Sequence, residues 1–592
     1  MEKIRERVAA LRQEMIKAGI DAYIVSGTDP HGSEYLPARW QQREWISGFT
    51  GSFGTVVVTA SQAGLWTDTR YFLQANRELA GSGIDMYKLR VPEAVDYPEW
   101  LAATLPSGST VGFDPYCFSV TDARRLERTL GQAGIHLQSE PELLDRIWID
   151  RPAAPTAAIV RLEERYAGLS AEAKLAALRE RMAVAGEDYR LLGAPDEIAW
   201  LLNVRGDDIP YNPVSLAYVV VGSDSARLFI DERKVNDVVR HSLAGERIET
   251  LPYEDTELFF GSIDPCRIGI DPDTLNRALY DRIRLRHEVS EAASPVSMMK
   301  AVKNEVEIAG FREAHRRDGL AMVRFLAWLD REVPRRRVTE IEAAEKLSAL
   351  RAADPDARGD SFETISATGP NAASPHYSAT PENYSVIRPD ALYLVDSGGQ
   401  YLFGTTDITR TVSFAPQPEE VRKDFTLVLR GMIALARAVF PLGTCGAQID
   451  AVAREPLWQA RRNFGHGTGH GVGHYLCVHE GPQDIRQNLR NVPLLPGMVN
   501  SDEPGIYREG CYGIRHENLL LTVALEENEF GKWCGFETLT LCPFDTSMIL
   551  PEWLGEEARA WLNDYHERVR RELAPALEGE ALEWLERQTK AI

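Results

Sequence analysis

Two stretches of the chain share one amphipathic helical pattern. Residues 7–21 read RVAALRQEMIKAGID, and residues 174–188 read KLAALRERMAVAGED, at a constant offset of 167. Apolar residues recur at helical spacing in both, and a glycine follows each predicted helix as its C-terminal cap. In each copy a tryptophan and an aliphatic residue then precede two strand-like segments. This repeated order of elements predicts two related α/β domains.

The pattern changes close to residue 298. Residues 306–332 have a long helical period, short strands bounded by Gly, Asn and Pro dominate from about residue 360, and residues 556–587 return to helix. We therefore predict an α/β and α+β multidomain protein. Its predicted parts are a first α/β domain over residues 1–155, its repeat over 156–298, a third domain over 299–535 and a C-terminal extension over 536–592.

The composition excludes several classes of protein. The 592 residues include 44% hydrophobic and 26% charged residues, as in an ordinary globular protein, and the net charge of −22 argues against a nucleic-acid binder. No apolar run approaches the ~18 residues of a membrane helix, and the N-terminal segment lacks the apolar core of a secretion signal. Seven scattered cysteines without a CxxC motif favour reduced thiols. We therefore expect a cytoplasmic protein that binds neither nucleic acid nor membrane.

Two aspartates lie in a predicted strand–turn–strand segment, ALYLVDSGGQYLFGTTDITRTVSF. If the turn centres near Tyr401–Leu402, Asp396 and Asp407 are direct cross-strand neighbours with Cβ atoms about 5 Å apart. Two ionised carboxylates this close repel each other, so either one takes a proton or a cation lies between them. The apolar run before Asp396 limits screening by water, which favours a bound metal. Two exposed aspartates on a hairpin are the alternative.

Further candidate ligands follow in the same domain. Four of the twelve histidines lie in the glycine-rich segment NFGHGTGHGVGHYLCVHEGP, and Glu503 and Glu517 lie in apolar, strand-like settings where an unpaired charge is costly. Pairing of these glutamates with Arg508 and Arg515 is the alternative. The collected set is Asp396, Asp407, His470, Glu503 and Glu517. Such hard ligands suit two ions of Mn²⁺, Co²⁺, Fe²⁺ or Zn²⁺, which lower the pKa of a shared water. The set therefore predicts hydrolysis.

The ordered motifs VDSGGQY, TTDITRT, HGTGHGVG, VHEGP, DEPGIY and GIRHENL resemble those of the pita-bread metallopeptidases. Among them the chain is most similar to the cytosolic-type Xaa-Pro aminopeptidases, along essentially its whole length. This resemblance implies two related creatinase-N-terminal-like α/β domains, a pita-bread α+β catalytic domain and a helical C-terminal extension. It also implies a homodimer that acts on peptides with N-terminal Xaa-Pro. The implied cofactors are two divalent metal ions, of which Mn²⁺ is the favoured identity and Co²⁺ or Zn²⁺ are the alternatives.

The resemblance assigns roles to individual residues. Asp396 would bind one metal ion, His470 and Glu503 would bind the other, and Asp407 and Glu517 would bridge both. The residues with catalytic roles would be His376, which binds substrate and stabilises the tetrahedral intermediate, and His466 and His479, linked with proton transfer and substrate positioning. Glu503 is a further catalytic candidate on chemical grounds, because the leaving proline nitrogen needs a proton that this glutamate or a nearby histidine could supply. Tyr507 and Arg515 would have supporting roles.

Three other functions fit parts of this pattern. A prolidase, which cleaves Xaa-Pro dipeptides, shares the ligands, but the duplicated N-terminal domains and the chain length favour the aminopeptidase. Creatinase hydrolyses C–N bonds on this fold without metals, and the intact ligand set argues against it. Non-enzymatic binding modules on this fold have lost ligands, whereas all five are present here.

Overall fold

Each copy of the predicted repeat folds around a six-stranded mixed sheet. The computed structural model describes residues 1–140 and 143–592. The first domain contains helices α1 Glu2–Ala18, α2 Gln42–Ser47, α3 Phe72–Glu78, α4 Tyr97–Thr104 and α5 Val120–Gln132, and strands β1 Ala22–Val25, β2 Thr55–Thr59, β3 Ala63–Thr67, β4 Asp85–Lys88, β5 Thr110–Phe113 and β6 His136–Ser139. Its strand order is β4-β3-β2-β1-β5-β6.

The second domain repeats this topology. Its strands are β7 Val160–Arg161, β8 Tyr189–Leu192, β9 Val204–Arg205, β10 Tyr218–Gly222, β11 Ala226–Phe229, β12 Ile248–Leu251, β13 Arg267–Ile270 and β14 Glu288–Glu291. The helices of this stretch are α6 Glu164–Ala167, α7 Ala171–Ala185, α8 Pro195–Leu201, α9 Asp237–Gly245, α10 Thr256–Ser262 and α11 Arg277–Ile283. The sheet order is β12-β11-β10-β8-β13-β14. With β8 in the place of β1, every neighbouring pair keeps its parallel or antiparallel direction.

The residues matched in the sequence repeat make the same contacts in both domains. Arg12 Nε donates to the carbonyl of Thr59 at 2.8 Å, and Arg179 Nε donates to that of Gly222 at 2.9 Å. Each arginine thereby joins the repeated helix to the strand next to the central one. The glycines that end the two helices have φ of 68° and 67°, in the left-handed region that favours glycine. The prediction of two related domains is confirmed.

The remaining chain forms a mixed α+β unit. Its helices are α12 Pro295–Ala301, α13 Glu305–Glu332, α14 Glu340–Ala352, α15 Glu419–Ala436, α16 Gly446–Gln459, α17 Pro551–Leu554, α18 Glu556–Leu573 and α19 Gly579–Gln588. Its strands are β15 Ala357–Asp360, β16 Ile365–Thr368, β17 Tyr393–Ser397, β18 Gly399–Tyr401, β19 Gly404–Thr405, β20 Ile408–Val412, β21 Phe440–Pro441, β22 Gly469–Gly471, β23 Glu480–Ile485, β24 Val499–Asp502, β25 Gly505–Arg508, β26 Tyr512–Arg515, β27 Asn518–Asn528 and β28 Gly531–Thr538.

Two antiparallel sheets of this unit carry the candidate residues. One has the order β16-β17-β20, and the other has the order β21-β28-β27-β24-β22-β23. The long helix α13 starts with a capping box of Asn304 and Glu307, which satisfies free N–H groups of its first turn. Its apolar face shares one core with β17, α15 and the C-terminal helix α18, where Tyr565, Val569 and Leu573 are buried. The predicted C-terminal helix α18 thus packs onto this α+β unit.

Two further features bear on the expectations from composition. All seven cysteines carry free thiols. The described part of the chain contains no helix with the length and apolar character needed to span a membrane.

Candidate active site

The two predicted aspartates lie in paired segments, Asp396 in β17 and Asp407 directly before β20, but their register differs from the predicted one. β17 pairs with β20 so that Asp396 is opposite Thr409, and the hairpin turns at Leu402–Phe403. The prediction placed this turn one residue earlier. A shift of the turn by one residue moves each cross-strand partner by two residues, which preserves the face of the sheet. Asp396 and Asp407 are therefore diagonal neighbours, and the predicted direct pairing is wrong.

His470 presents one ring nitrogen to the acidic residues. Its Nδ1 lies 2.9 Å from the carbonyl oxygen of Gly471, while Nε2 lies 3.5 Å from Asp407 Oδ2 and 3.5 Å from Glu503 Oε1. A Cβ atom on Gly469 would collide with the backbone oxygen of Ser501 in β24. The glycine beside His470 therefore allows the close approach of β22 and β24 that brings the imidazole to Glu503.

Glu517 completes a compact group of ligand atoms. It lies between β26 and β27, is 1% exposed, and accepts a hydrogen bond of 2.8 Å at Oε2 from the Thr409 hydroxyl. Asp407, His470 and Glu517 each offer a ligand atom, and these atoms all lie within 4.8 Å of one another. The structure therefore joins residues that are up to 110 positions apart in the sequence into one site.

Arg515 holds Asp396 in a chain of hydrogen bonds. Its Nη2 donates to Asp396 Oδ2 at 2.6 Å, and its Nη1 donates to the Tyr507 hydroxyl at 2.7 Å. That hydroxyl in turn lies 2.8 Å from Nε2 of His466. Asp396 Oδ1 is buried and has no hydrogen-bond partner among the described residues, so this oxygen is free to bind a ligand.

The predicted alternative, in which arginines neutralise the two glutamates, is not what the structure shows. Arg508 pairs with Asp424 and Glu420, and Arg515 pairs with Asp396. Within residues 1–140 and 143–592, no ion pair joins Glu503 or Glu517 to an arginine. Among the four carboxylates, the ion pairs within the described residues are therefore that of Asp396 with Arg515 and those of Asp407 and Glu503 with His470.

This excess of negative charge raises the affinity of the site for protons and cations. Burial raises the pKa of Glu503 to about 7, and burial with the neighbouring carboxylates raises the pKa of Glu517 well above its ordinary value. Burial alone would lower the pKa of His470, but Asp407 and Glu503 raise it to about 9. The oxygen-rich donors, the imidazole and the free oxygen of Asp396 fit divalent metal ions. Metal ions would stabilise the charges that the protein leaves unpaired.

The other predicted histidines belong to segments that meet this cluster. The ring of His479 lies edge-to-face to that of His470 with centroids 4.4 Å apart. His376 is half-buried in the loop after the short 3₁₀ helix Gly369–Ala373, and the carbonyl of the preceding Pro375 accepts from Arg515 Nη2 at 3.2 Å. The structure thus connects each of the predicted site residues to the cluster, either directly or through a neighbour.

Two hydroxyl residues of the site were missed by the sequence analysis. Thr409 donates to Glu517 and accepts from Arg515 Nε at 3.2 Å. Ser501 Oγ accepts from the backbone N–H of His470 at 2.9 Å and lies 3.4 Å from Glu503 Oε1. Both lie two residues from a carboxylate, on the same face of an extended segment, and this spacing was the available signal.

Family models cover most of the chain. The model of metallopeptidase family M24 matches residues 309–524, and the model of the C-terminal region of peptidase M24 matches residues 532–592. Two models of the creatinase/prolidase N-terminal domain match residues 7–147 and 150–307. The two N-terminal matches agree with the repeated topology described above.

Three proteins illustrate the similarity. A probable Xaa-Pro aminopeptidase P of Laccaria bicolor is 41% identical over 605 residues, which cover 99% of this chain and 93% of that protein. The X-prolyl aminopeptidase of Caenorhabditis elegans, described as a cytosolic enzyme with a di-nuclear active site, superposes with a TM-score of 0.96 at 36% identity and full coverage of both chains. The Xaa-Pro dipeptidase of Bacillus anthracis shares the fold, with a TM-score of 0.51 at 24% identity, and 99% of it covers 64% of this chain.

Proposed function

Because this chain belongs to the Xaa-Pro aminopeptidase P family of metallopeptidases, we propose that it hydrolyses the first peptide bond of peptides with proline in second position. The observation that carries this proposal is the buried cluster of four carboxylates and His470, which the protein neutralises only in part. Full-length similarity to proteins named Xaa-Pro aminopeptidase P, at 41% and 40% identity, supports the same substrate class.

The proposal includes two divalent metal ions, with Mn²⁺ as the favoured ion and Co²⁺ or Zn²⁺ as alternatives. Asp396 would hold one ion, His470 and Glu503 would hold the other, and Asp407 and Glu517 would contact both. When bound, such ions supply a hydroxide nucleophile at neutral pH and polarise the scissile carbonyl. The unpartnered Oδ1 of Asp396 and the facing atoms of Asp407, His470 and Glu517 support this assignment.

The protein's own residues solve the problem that proline poses. An Xaa-Pro bond has no N–H for a protease to grip, and the leaving proline nitrogen needs a proton. We assign this proton transfer to Glu503, because its carboxylate lies within the cluster, 3.5 Å from Nε2 of His470. The chain from His466 through Tyr507 and Arg515 fixes the carboxylate of Asp396. We assign substrate binding to His376 and His479.

We extend the proposal to a cytoplasmic homodimer that binds neither nucleic acid nor membrane. Free cysteine thiols and the similarity to an enzyme described as cytosolic support the location, and the net charge of −22 argues against nucleic acid. The homodimer rests on the resemblance of the sequence motifs. The domain limits at residues 155, 298 and 535 likewise remain a prediction.

The test compares kcat/KM for the four peptides Xaa-Pro, Xaa-Pro-Yaa, Xaa-Ala-Yaa and acetyl-Xaa-Pro-Yaa with the Mn²⁺-loaded protein. We expect rapid cleavage of Xaa-Pro-Yaa after the first residue and slow cleavage of the other three. The alanine peptide lacks the ring for which the site is selective, and the acetylated peptide lacks the free amine. If the dipeptide is cleaved fastest, the protein is a prolidase. If the alanine peptide is cleaved as fast as Xaa-Pro-Yaa, the protein is a general aminopeptidase. Cleavage of none would favour a binding module.

A further inference from the structure

A buried carboxylate at the start of helix α14 binds both ends of the loop that contains His376. Glu340 is fully buried, and its Oε1 accepts from the backbone N–H of Thr368 at 2.7 Å and from Asn371 Nδ2 at 2.9 Å. Its Oε2 accepts from the backbone N–H of Ser385 at 2.6 Å and from the Tyr377 hydroxyl at 2.9 Å. One side chain thus ties together positions 368, 371, 377 and 385.

Ordinary structural roles do not account for this arrangement. The side-chain cap of α14 is Thr339, which accepts from the backbone N–H of Glu342 at 3.1 Å, and Glu340 does not serve as this cap. In the described part of the chain no lysine or arginine forms an ion pair with Glu340. The carboxylate is stabilised instead by donors of the loop and by its place at a helix N-terminus.

The geometry requires an acceptor at both oxygens of Glu340. A backbone N–H can only donate, and one such group faces each oxygen, from Thr368 on one side and Ser385 on the other. The amide group of a glutamine has only one acceptor atom, so either orientation would point its NH₂ group at a backbone N–H. Glutamine therefore cannot replace this carboxylate without releasing one end of the loop.

His376 lies between two anchored neighbours in this loop. The carbonyl of Pro375 accepts from Arg515, the residue that also binds Asp396. On the other side, the Tyr377 hydroxyl donates to Glu340 and the Tyr377 ring packs in a small apolar cluster with Leu394 of β17, two residues from Asp396. The backbone of His376 is therefore held on one side by the hydrogen bond between Pro375 and Arg515, which also binds Asp396 of the ligand cluster. On the other side it is held by the hydrogen bond between Tyr377 and Glu340.

We propose that Glu340 is a positioning residue, which acts through the 368–385 loop to set the place of His376 relative to the ligand cluster. This inference rests on the proposed function only for the role of His376 toward substrate. The order of the loop itself follows from the hydrogen bonds of Glu340, whatever reaction the site performs.

The decisive experiment is a double-mutant cycle of Glu340→Gln and His376→Ala in the Mn²⁺-loaded protein, with kcat/KM measured on Ala-Pro-Ala. A misplaced catalytic group costs about 10²-fold, so we expect Glu340→Gln to lower kcat/KM by that factor, mainly in kcat, with metal content unchanged. In the His376→Ala background the same change should cost less than about threefold, because the group it positions is gone. Equal losses in both backgrounds would overturn the proposal.

Glu342→Gln is the matched control. This residue lies in the same first turn of α14 and loses the same charge, but its carboxylate pairs with Arg336 at 2.7 Å and does not contact the loop. We expect its activity to remain within about twofold of wild type. A loss equal to that of Glu340→Gln would show that charge at the helix terminus, and not the loop, is responsible.

Hydrogen exchange separates failure of this proposal from failure of the proposed function. In Glu340→Gln, amides of residues 368–385 should exchange at least about tenfold faster, because Thr368 and Ser385 compete for one acceptor, while Glu342→Gln leaves them unchanged. Unchanged exchange in Glu340→Gln would refute the positioning role. Faster exchange in a protein whose wild type cleaves no Xaa-Pro peptide would refute only the function. If Glu340→Gln does not fold, Tyr377→Phe removes one of the same hydrogen bonds and should show a smaller loss of the same kind.

Discussion

Replacing Glu517 by glutamine should abolish peptidase activity and yet stabilise the metal-free protein. In the proposed site Glu517 contacts both metal ions, so loss of its charge removes one shared ligand. Without metal the same carboxylate faces Asp407 in a buried cluster with little positive charge. The two consequences have opposite signs because the site is built for cations that the folded chain does not supply.

Two estimates give the size of the stabilisation. The ligand atoms of Asp407 and Glu517 lie within 4.8 Å, and two unit charges at that distance repel by about 3.5 kcal/mol at an effective dielectric constant of about 20. If Glu517 takes a proton instead, holding a carboxyl of ordinary pKa 4.5 in the neutral form at pH 7 costs about 3 kcal/mol. Glutamine avoids either cost and still accepts from Thr409, so the metal-free variant should gain about 3 kcal/mol.

The effect should depend on pH in a defined direction. Burial and the neighbouring carboxylates raise the pKa of Glu517 in the folded protein well above its unfolded value. The folded state therefore binds the proton more tightly, and this contribution to stability is present below pH 4.5 and is lost as the pH rises. The free energy of unfolding of metal-free wild type, taken relative to that of Glu517→Gln, should accordingly fall from pH 5 to pH 8.

Thermal unfolding of chelated protein between pH 5 and pH 8 provides the assay. Glu526→Gln, an exposed change on the same strand β27, should leave the midpoint nearly unchanged. Addition of Mn²⁺ should reverse the order of stability, because only the wild type gains the full binding free energy of two ions. A chelated Glu517→Gln protein that is less stable than chelated wild type at pH 8 would refute the charge argument.

Three further predictions test other parts of the molecule. His470→Ala should lower the metal content, whereas His376→Ala should retain it and lose about 10²–10⁴-fold in rate; equal metal loss would contradict the assigned roles. Asp424→Asn should lower the free energy of unfolding by about 3 kcal/mol in urea titrations, because the buried carboxylate binds Arg508 and Arg462. Burial lowers the pKa of His566 to about 3, so the free energy of unfolding of wild type, taken relative to that of His566→Gln, should fall by about 2 kcal/mol from pH 7 to pH 5.

The duplicated domains could be predicted because each copy keeps the residues that make its repeated contacts. The arginine that ties the helix to a neighbouring strand recurs at the same offset, as does an aspartate, Asp21 or Asp188, that accepts from a backbone N–H of the next parallel strand at 2.8 Å. Such contacts lie within one domain, so the residues that make them recur as identical residues in the two copies of the sequence repeat. A repeated helical pattern without these matched residues would not have been sufficient to predict two related domains.

The register of the aspartate hairpin could not be predicted, because its turn is set by a distant contact. The segment between the two aspartates contains several glycines, which allow the chain to turn at more than one position. In the structure the buried Tyr401 hydroxyl donates to Asp318 of α13 at 3.1 Å, and this places the turn one residue further along. The contact spans 83 positions, so no local pattern reveals it.

The proposed ligand residues could be predicted only as candidates, because the sequence does not distinguish a buried acid that binds a metal ion from one that pairs with a basic side chain. The catalytic unit contains several buried acids of the second kind. Asp318 pairs with Arg351 at 2.7 Å, Asp450 pairs with Arg454 at 2.6 Å, and Glu480 pairs with Lys303 at 2.6 Å, and each pair is buried. A carboxylate matched in this way needs no further cation.

The carboxylates of the candidate site differ because their number exceeds that of the basic groups that reach them. Arg515 pairs with Asp396 alone, and the charges of Asp407, Glu503 and Glu517 converge on His470. A cluster of this kind is costly in a low-dielectric interior unless cations enter it. The unequal charge count, which becomes visible only when the partners of each acid are known, is the physical reason to place metal ions here and not at the matched pairs.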